Sequence, residues 1–305
     1  LVIVKEAEDA AYFQNSLQNI TGTLEILYFP SSFKNKKNFS QVNSSHIMLR
    51  TEALTKIASG GNKKILVTHA DALFEKVVLS NTLFENTIHI QQAEELDIDA
   101  LLEKFVDYGF EKTDFVYEPG QFAIRGGIVD IYSFGNEKPY RIELFGKEVD
   151  SIRIFNPETQ LSERKLLQVN IIPNIDTQFE ATEKVSLLEF LPSNTVLWIE
   201  DWAYVKERLE QMEEELDVFL LGVSHEPFDQ NNIPETFEVK KEQPASKGDF
   251  ISARLLEQQL IQKHIIEFGK KTSFNGSAQK ILFNTAPQPA FNRNFSMLIK
   301  DLQEH

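Results

Sequence analysis

Charged and aromatic side chains alternate with apolar ones along residues 140–146, which read YRIELFG. In an extended strand successive side chains point to opposite faces, so the apolar residues share one face and Arg141, Glu143 and Phe145 share the other. A large aromatic ring beside an arginine on a polar face is typical of protein-binding hot spots. The ring supplies contact area, and the guanidinium supplies a planar set of donors. This strand is therefore a candidate binding surface.

A second arginine is expected on the same surface. Arg125 alternates with apolar neighbours in the string QFAIR, which predicts that its side chain also points outward. The pattern alone leaves an alternative open, in which Phe145 packs beneath a helix and the arginines pair with Glu143 or Glu148.

An acidic strand end is the other feature that could do chemistry. The apolar run VLWIED at 196–201 resembles a degenerate Walker B strand, whose acids, here Glu200 and Asp201, would hold Mg²⁺ beside nucleotide phosphates. The phosphate-binding loop that would complete such a site, G-x4-G-K-[ST], is absent from the sequence. The nearest string is FGKKT at 268–272, but His264 stands where the first glycine is required. We therefore expect no catalytic residues and no cofactor in this chain.

Metal and nucleophile chemistry are also not expected. The sequence contains no cysteine, no H-E-x-x-H and no G-x-S-x-G, and its six histidines are dispersed at positions 46, 69, 89, 225, 264 and 305. The absence of cysteine excludes disulfides within the chain and fits a reducing compartment such as the cytoplasm.

Length and charge narrow the class of protein. The chain has 305 residues, 42% of them hydrophobic, which is enough for two or three domains. Its net charge of −15 disfavours tight binding of nucleic acid, because phosphate contacts require Lys and Arg. No apolar run approaches the roughly 20 residues that a membrane helix needs, so no membrane is expected as a partner.

The elements that would position these residues fall into three stretches. The first alternates strands and helices, which predicts an α/β layer with a parallel sheet, and includes a polar, loop-like segment at 31–45. An amphipathic helix at 95–110, closed by Gly109, then precedes a β-meander with a bend at Gly126–Gly127. Alternating strands and helices are predicted again after residue 175.

The last of these stretches divides into five predicted segments. They are a strand at 194–201, a long helix at 202–220, an irregular segment at 222–248, a helix-like stretch at 252–269 and a Pro-rich linker with a short helix at 286–305.

The meander also carries a specific resemblance. Residues 117–162, YEPGQFAIRGGIVDIYSFGNEKPYRIELFGKEVDSIRIFNPETQLS, resemble the insert domain of bacterial transcription-repair coupling factors (Mfd), a domain shared with the excision-repair helicase UvrB. Flanking strings agree with that resemblance: LYFPS (27–31), RTEALTKI (50–57), ILVTHADAL (65–73) and APQPAFNRNFSMLIKDL (286–302).

The resemblance implies a degenerate helicase-like domain in two halves, interrupted by a small α+β insert domain. The corresponding ranges are 1–86 for the first half, 87–174 for the insert, and 175–305 for the second half with a linker and terminal helix. Because the chain opens without Met inside an apparent strand, we expect it to be a fragment of a longer protein.

The resemblance also implies partners. In both families the insert binds UvrA, and in the coupling factors two arginines and a phenylalanine make the contact, which fall on Arg125, Arg141 and Phe145 here. The parent protein would be an ATP-dependent DNA translocase whose downstream motor uses ATP and Mg²⁺. Its other domains would engage RNA polymerase and duplex DNA, and its C-terminal domain would mask the UvrA surface.

An enzymatic alternative stays open. This chain could be a UvrB-like helicase half with ATPase function whose phosphate-binding loop was lost by truncation. The sequence departs from UvrB in the short 31–45 segment, which is too brief for the aromatic β-hairpin with which UvrB probes damaged DNA.

Overall fold

The fold was determined from a computed structural model, which describes residues 1–35, 38–61, 63–175, 179, 183–223, 245–269, 273–274, 279–283, 291 and 293–304. Within these ranges no helix is long and apolar enough to cross a membrane. Most of the predicted irregular segment at 222–248 and most of the Pro-rich start of the predicted segment at 286–305 lie outside the described residues.

Strands and helices alternate in the first and last parts of the described chain, and strands follow one another between these parts, over residues 111–185. The strands are β1 (Val2–Val4), β2 (Glu25–Phe29), β3 (Phe33–Asn35), β4 (Asn38–Val42), β5 (Lys64–His69), β6 (Val77–Val78), β7 (Ile88–Gln91), β8 (Glu111–Lys112), β9 (Gln121–Arg125), β10 (Ile128–Ile131), β11 (Tyr140–Phe145), β12 (Glu148–Phe155), β13 (Ser162–Leu166), β14 (Gln168–Ile171), β15 (Lys184–Val185), β16 (Val196–Glu200) and β17 (His264–Phe268). The helices are α1 (Ala7–Thr21), α2 (Ser44–Ala58), α3 (Ala70–Phe74), α4 (Ser80–Glu85), α5 (Ile98–Asp107), α6 (Leu187–Phe190), α7 (Trp202–Val223), α8 (Ala253–Leu260) and α9 (Phe295–Glu304).

Five strands form a wholly parallel sheet in the order β17-β16-β1-β5-β2. Its middle strand β1 is a continuous apolar run that is buried on both faces, whereas β16 buries Leu197 and Ile199 and exposes Val196 and Trp198. The side chains of Val2 and Val4 pack with Ala10 of α1 in one of the cores of the chain. The predicted α/β class with a parallel sheet is confirmed, and strands from the first and last parts of the chain are neighbours in it.

A buried ion pair lies beneath the second strand. Arg50 of α2 is fully buried, and its Nη2 lies 3.4 Å from Oε2 of Glu75, while its Nη1 donates to the carbonyl of Pro30 at 3.0 Å. Both carboxylate oxygens of Glu75 accept from the backbone N–H of Ser32, at 2.9 and 3.2 Å. The pair therefore connects α2, the end of β2 and the segment after α3.

The predicted meander is confirmed as part of a second sheet, ordered β13-β12-β11-β10-β9-β8. Neighbouring strands from β9 to β13 are antiparallel, and β8 pairs with β9 in parallel. Asp97 caps the N-terminus of α5, where its side chain accepts from the N–H of Ala100 at 3.2 Å, and the helix ends before Gly109, where φ is +74°. Its Leu101 and Phe105 pack on the inner face of this sheet.

The prediction of a loop at 31–45 is wrong. Strands β3 and β4 form an antiparallel hairpin there, and its Phe33 and Phe39 rings lie 5.4 Å apart. Both rings also contact Phe250, at 6.0 and 5.4 Å between centroids, and Phe39 contacts Phe74 and Phe219. Burial of these aromatic rings outweighs the polar composition of the segment.

The prediction of one helical stretch at 252–269 is also wrong in its second half. Helix α8 ends at Leu260, and His264–Phe268 form β17, which pairs with β16. A short apolar run such as HIIEF fits either state locally, and the free edge of β16 decides for the strand.

The described residues of Leu1–Ser273 group into one compact unit and those of Phe274–His305 into a second, which contains α9. The domain boundaries at 86/87 and 174/175 stay predictions.

Candidate protein-binding surface

The outer face of the meander presents the exposed ring of Phe145. Phe145, the last residue of β11, is 84% exposed, and a two-residue turn with φ of +66° at Gly146 connects it to Glu148. Tyr140 and Ile142 of the same strand are buried on the opposite face. The alternation predicted for this strand is therefore confirmed, and Phe145 does not pack beneath a helix.

A neighbouring turn fixes the end of this strand. Strands β9 and β10 are joined at Gly126–Gly127, and the N–H of Leu144 donates to the carbonyl of Gly127 at 2.8 Å. A Cβ at Gly127 would lie 2.9 Å from the carbonyl oxygen of Leu144, closer than such contacts occur. Glycine is therefore required where this turn packs against the residue before Phe145.

One buried carboxylate organises the arginines of this face. Asp130 of β10 is fully buried, and β10 lies between the strands that carry Arg125 and Arg141. Arg141 donates from Nε to Oδ1 at 2.7 Å and from Nη2 to Oδ2 at 2.9 Å, while Nη2 of Arg125 donates to Oδ2. The hydrogen bonds to Asp130 raise the pKa of Arg141 above its ordinary value, although burial opposes them.

Each arginine also lies over an aromatic ring. The guanidinium carbon of Arg141 is 4.5 Å from the centroid of buried Phe155, and that of Arg125 is 4.9 Å from the centroid of Phe115, which is 48% exposed. We call this arrangement, Phe115, Arg125, Asp130, Arg141 and Phe155, the arginine row. Cation–π contacts of this kind favour a flat guanidinium held parallel to the ring.

The two arginines differ in exposure. The Arg125 side chain is 35% exposed, and its Nη1 donates to the carbonyl of Asp114 at 3.1 Å. The Arg141 side chain is only 14% exposed, and its Nη1 donates to the carbonyl of Gln160 at 3.1 Å. The prediction that Arg141 points out into solvent is thus wrong for most of its side chain, because Asp130 and Phe155 hold it against the sheet.

The partner of the arginines is Asp130, which the sequence reasoning missed. The sequence suggested Glu143 or Glu148 as the partner of the arginines. Glu143 pairs instead with Arg153, and Nη2 of Arg153 lies 3.0 Å from Oε2 of Glu143. The available signal was the charged residue inside the apolar string IVDI, since a buried carboxylate needs a cationic partner.

The acids of the Walker B-like strand lie at the carboxyl edge of the parallel sheet. Nζ of Lys5 lies 3.5 Å from Glu200 and 3.5 Å from Asp201. Oδ1 of Asp201 also accepts from the N–H of Tyr204 at 3.3 Å, in the first turn of α7. Both acids therefore have partners from this chain.

Within the described part of the chain, no group of three or more His, Asp or Glu side chains is placed to hold a metal ion.

Comparison with known proteins points to the same part of the chain. Residues 88–176 match the family described as the UvrB interaction domain. That range contains the whole arginine row and Phe145.

Longer alignments relate the chain to transcription-repair-coupling factors from several bacteria. It is 33% identical over 185 residues to the transcription-repair-coupling factor of Bacillus subtilis, 31% over 176 residues to that of Borreliella burgdorferi and 31% over 186 residues to that of Staphylococcus aureus. These alignments cover 57% to 61% of this chain but only 15% to 16% of those proteins. The chain thus resembles the N-terminal region of these coupling factors, and it spans about 16% of their length.

Proposed function

We propose that the outer face of the meander binds UvrA, and that this chain is a non-catalytic recruiting module of a transcription-repair coupling factor. The observation that carries the proposal is Phe145, 84% exposed at the end of a strand that pairs with β10 on one side and β12 on the other. An exposed ring on a backbone that is already paired has little backbone freedom to lose on binding, which favours its use as an anchor. The UvrB interaction domain match over 88–176 supports a partner of the UvrA type.

The proposal extends to the whole protein. We propose that the parallel sheet is a degenerate helicase-like domain in two halves around the insert, and that the parent is a cytoplasmic, ATP-dependent DNA translocase. Its motor would use ATP and Mg²⁺, and other domains would contact RNA polymerase and duplex DNA. Its C-terminal domain would mask the UvrA surface until the polymerase is engaged.

The enzymatic alternative finds less support. A UvrB-like ATPase half would use Glu200 and Asp201 for Mg²⁺, but both are close to Lys5. A UvrB-like role at damaged DNA would use aromatic rings of a hairpin, but Phe33 and Phe39 pack against Phe250.

Titration calorimetry of the chain against UvrA tests the proposal. We expect the wild type to bind, and Phe145→Ala to bind about 30-fold more weakly or worse, as at a central anchor. Tyr12→Ala is the matched control, because Tyr12 is 76% exposed on α1, in a different part of the chain. It should bind like the wild type.

Thermal melting of all three proteins accompanies the titration, and we expect equal melting temperatures. Absence of wild-type binding, or equal binding by Phe145→Ala, would refute the proposed surface.

A further inference from the structure

We infer that Asp130 is a positioning residue of the binding surface, which holds the Arg125 guanidinium so that its exposed edge binds a carboxylate of the partner. This inference rests on the proposed function and adds to it the chemistry of the contact.

The charges of the arginine row do not balance. Arg125 and Arg141 bring two positive charges, and Asp130, which both of them contact, brings one negative charge. A buried carboxylate is stable only when it is paired, and here it is paired twice over. One positive charge of the row is left for solvent or for a partner, on a chain whose net charge is −15. An acidic group is the complementary partner.

Exposure decides which arginine meets that group. Arg141 is 14% exposed and donates from Nε, Nη1 and Nη2 to atoms of this chain. Arg125 is 35% exposed, and its contacts with Asp114 and Asp130 use two of the five N–H donors of a guanidinium. Arg125 therefore has both the exposure and the donors for a partner, and Arg141 holds Asp130 in place from the other strand.

Two fixed groups orient the Arg125 head. The Asp130 carboxylate holds one edge, and the Phe115 ring lies 4.9 Å from the guanidinium carbon. A long side chain ordered in the free protein does not have to be ordered on binding, which removes an entropic cost from association. A planar guanidinium held this way can also bind a carboxylate through two parallel hydrogen bonds.

A double-mutant cycle measured by calorimetry against UvrA tests this role. We expect Asp130→Asn to weaken binding about 10-fold in the wild type and in Phe145→Leu, but only about 3-fold or less in Arg125→Ala, since coupled residues are not additive. A purely structural effect of Asp130 would give the same factor in every background. Equal factors would therefore overturn the inference.

Arg125→Lys provides a second test that keeps Asp130 and its hydrogen bonds from Arg141 in place. Lysine keeps the positive charge but lacks the planar fork that bridges Asp130 and Asp114. We expect Arg125→Lys to bind UvrA nearly as weakly as Arg125→Ala, and wild-type affinity in Arg125→Lys would overturn the inference. If thermal melting shows that Asp130→Asn does not fold, the comparison of Arg125→Lys with Arg125→Ala replaces the double-mutant cycle as the test.

Different results refute the proposed function and the role of Asp130. Loss of binding in Phe145→Ala together with equal factors in the cycle leaves the proposed function standing and removes only the role of Asp130. Absence of wild-type binding removes both.

Discussion

Asp130 and Arg141 are paired directly across β10 and β11, and the carboxylate accepts hydrogen bonds from Nε at 2.7 Å and Nη2 at 2.9 Å. Asp130 is fully buried, so this two-point contact belongs to the interior of the sheet as much as to its surface. Removing Arg141 leaves the buried carboxylate paired with Arg125 but takes away two of its hydrogen bonds. The arginine that the family resemblance assigns to partner binding therefore also stabilises the fold.

Replacement of Arg141 should reveal that second role. We expect Arg141→Ala to lower the free energy of unfolding by about 2 kcal/mol, because Asp130 loses two charge-assisted hydrogen bonds. Phe145→Ala should change it by less than about 0.5 kcal/mol, because the ring is exposed. Urea denaturation of both variants measures the difference. An Arg141→Ala protein as stable as the wild type would contradict the structural role of the pair.

The buried pair of Arg50 and Glu75 should be far more sensitive than any surface charge. Glu75→Gln removes the carboxylate charge that lies 3.4 Å from Nη2 of the fully buried Arg50, and we expect the free energy of unfolding to fall by roughly 3–5 kcal/mol, as for other broken buried pairs. Glu25→Gln is the matched control, since Glu25 pairs with Lys56 at a partly exposed site. It should cost less than about 1 kcal/mol. Similar melting of the two variants would refute the prediction.

The acidic edge of the parallel sheet should not bind nucleotide. Lys5 pairs with Glu200 and Asp201, and the chain has no phosphate-binding loop to complete a Mg²⁺–nucleotide site. We expect no heat when ATP and Mg²⁺ are titrated into the chain, and no phosphate release above the blank. Stoichiometric binding would revive the ATPase alternative, and loss of that binding in Asp201→Asn would locate it.

Stability should fall at low pH partly through Asp249. Burial alone would raise the pKa of Asp249, but hydrogen bonds from Lys184 and Ser246 hold it below its ordinary value. A group whose pKa is lower in the folded state stabilises the fold above its unfolded pKa of about 3.9, and this contribution disappears as the pH falls through the folded pKa.

The corresponding experiment compares wild type and Asp249→Asn by denaturation from pH 6 to the acid limit of folding. The unfolding free energy of the wild type should fall more steeply below about pH 4 than that of Asp249→Asn. Parallel curves would show that Asp249 does not contribute.

The local pattern predicted which side chains lie on each face of β11, because strand alternation depends only on the order of residues. The local pattern did not identify the residue that pairs with Arg141. Glu143 is two residues away on the same strand, about 7 Å along it, whereas a residue directly opposite on the next strand lies about 5 Å away. That closer residue is Asp130, and its position depends on which strands are neighbours.

The same limit explains the other errors. The hairpin at 33–42 exists because Phe33 and Phe39 meet rings from positions 74, 219 and 250, and no local rule relates those positions. Strand β17 exists because the edge of β16 was free to accept it. In each case contacts between distant parts of the chain outweighed the local preference of a short segment.

The position of β1 in the parallel sheet also determines an order of events during synthesis. Val2 lies beside Val67 on one side and Trp198 on the other, so the second neighbour of the first strand emerges nearly two hundred residues later. At about 5–20 residues per second this interval lasts on the order of 10–40 s. The meander, by contrast, is built entirely from residues 111–166 and has all its strands before β16 exists. The surface that carries Phe145 can therefore form on the ribosome while the parallel sheet still has an open edge at β1.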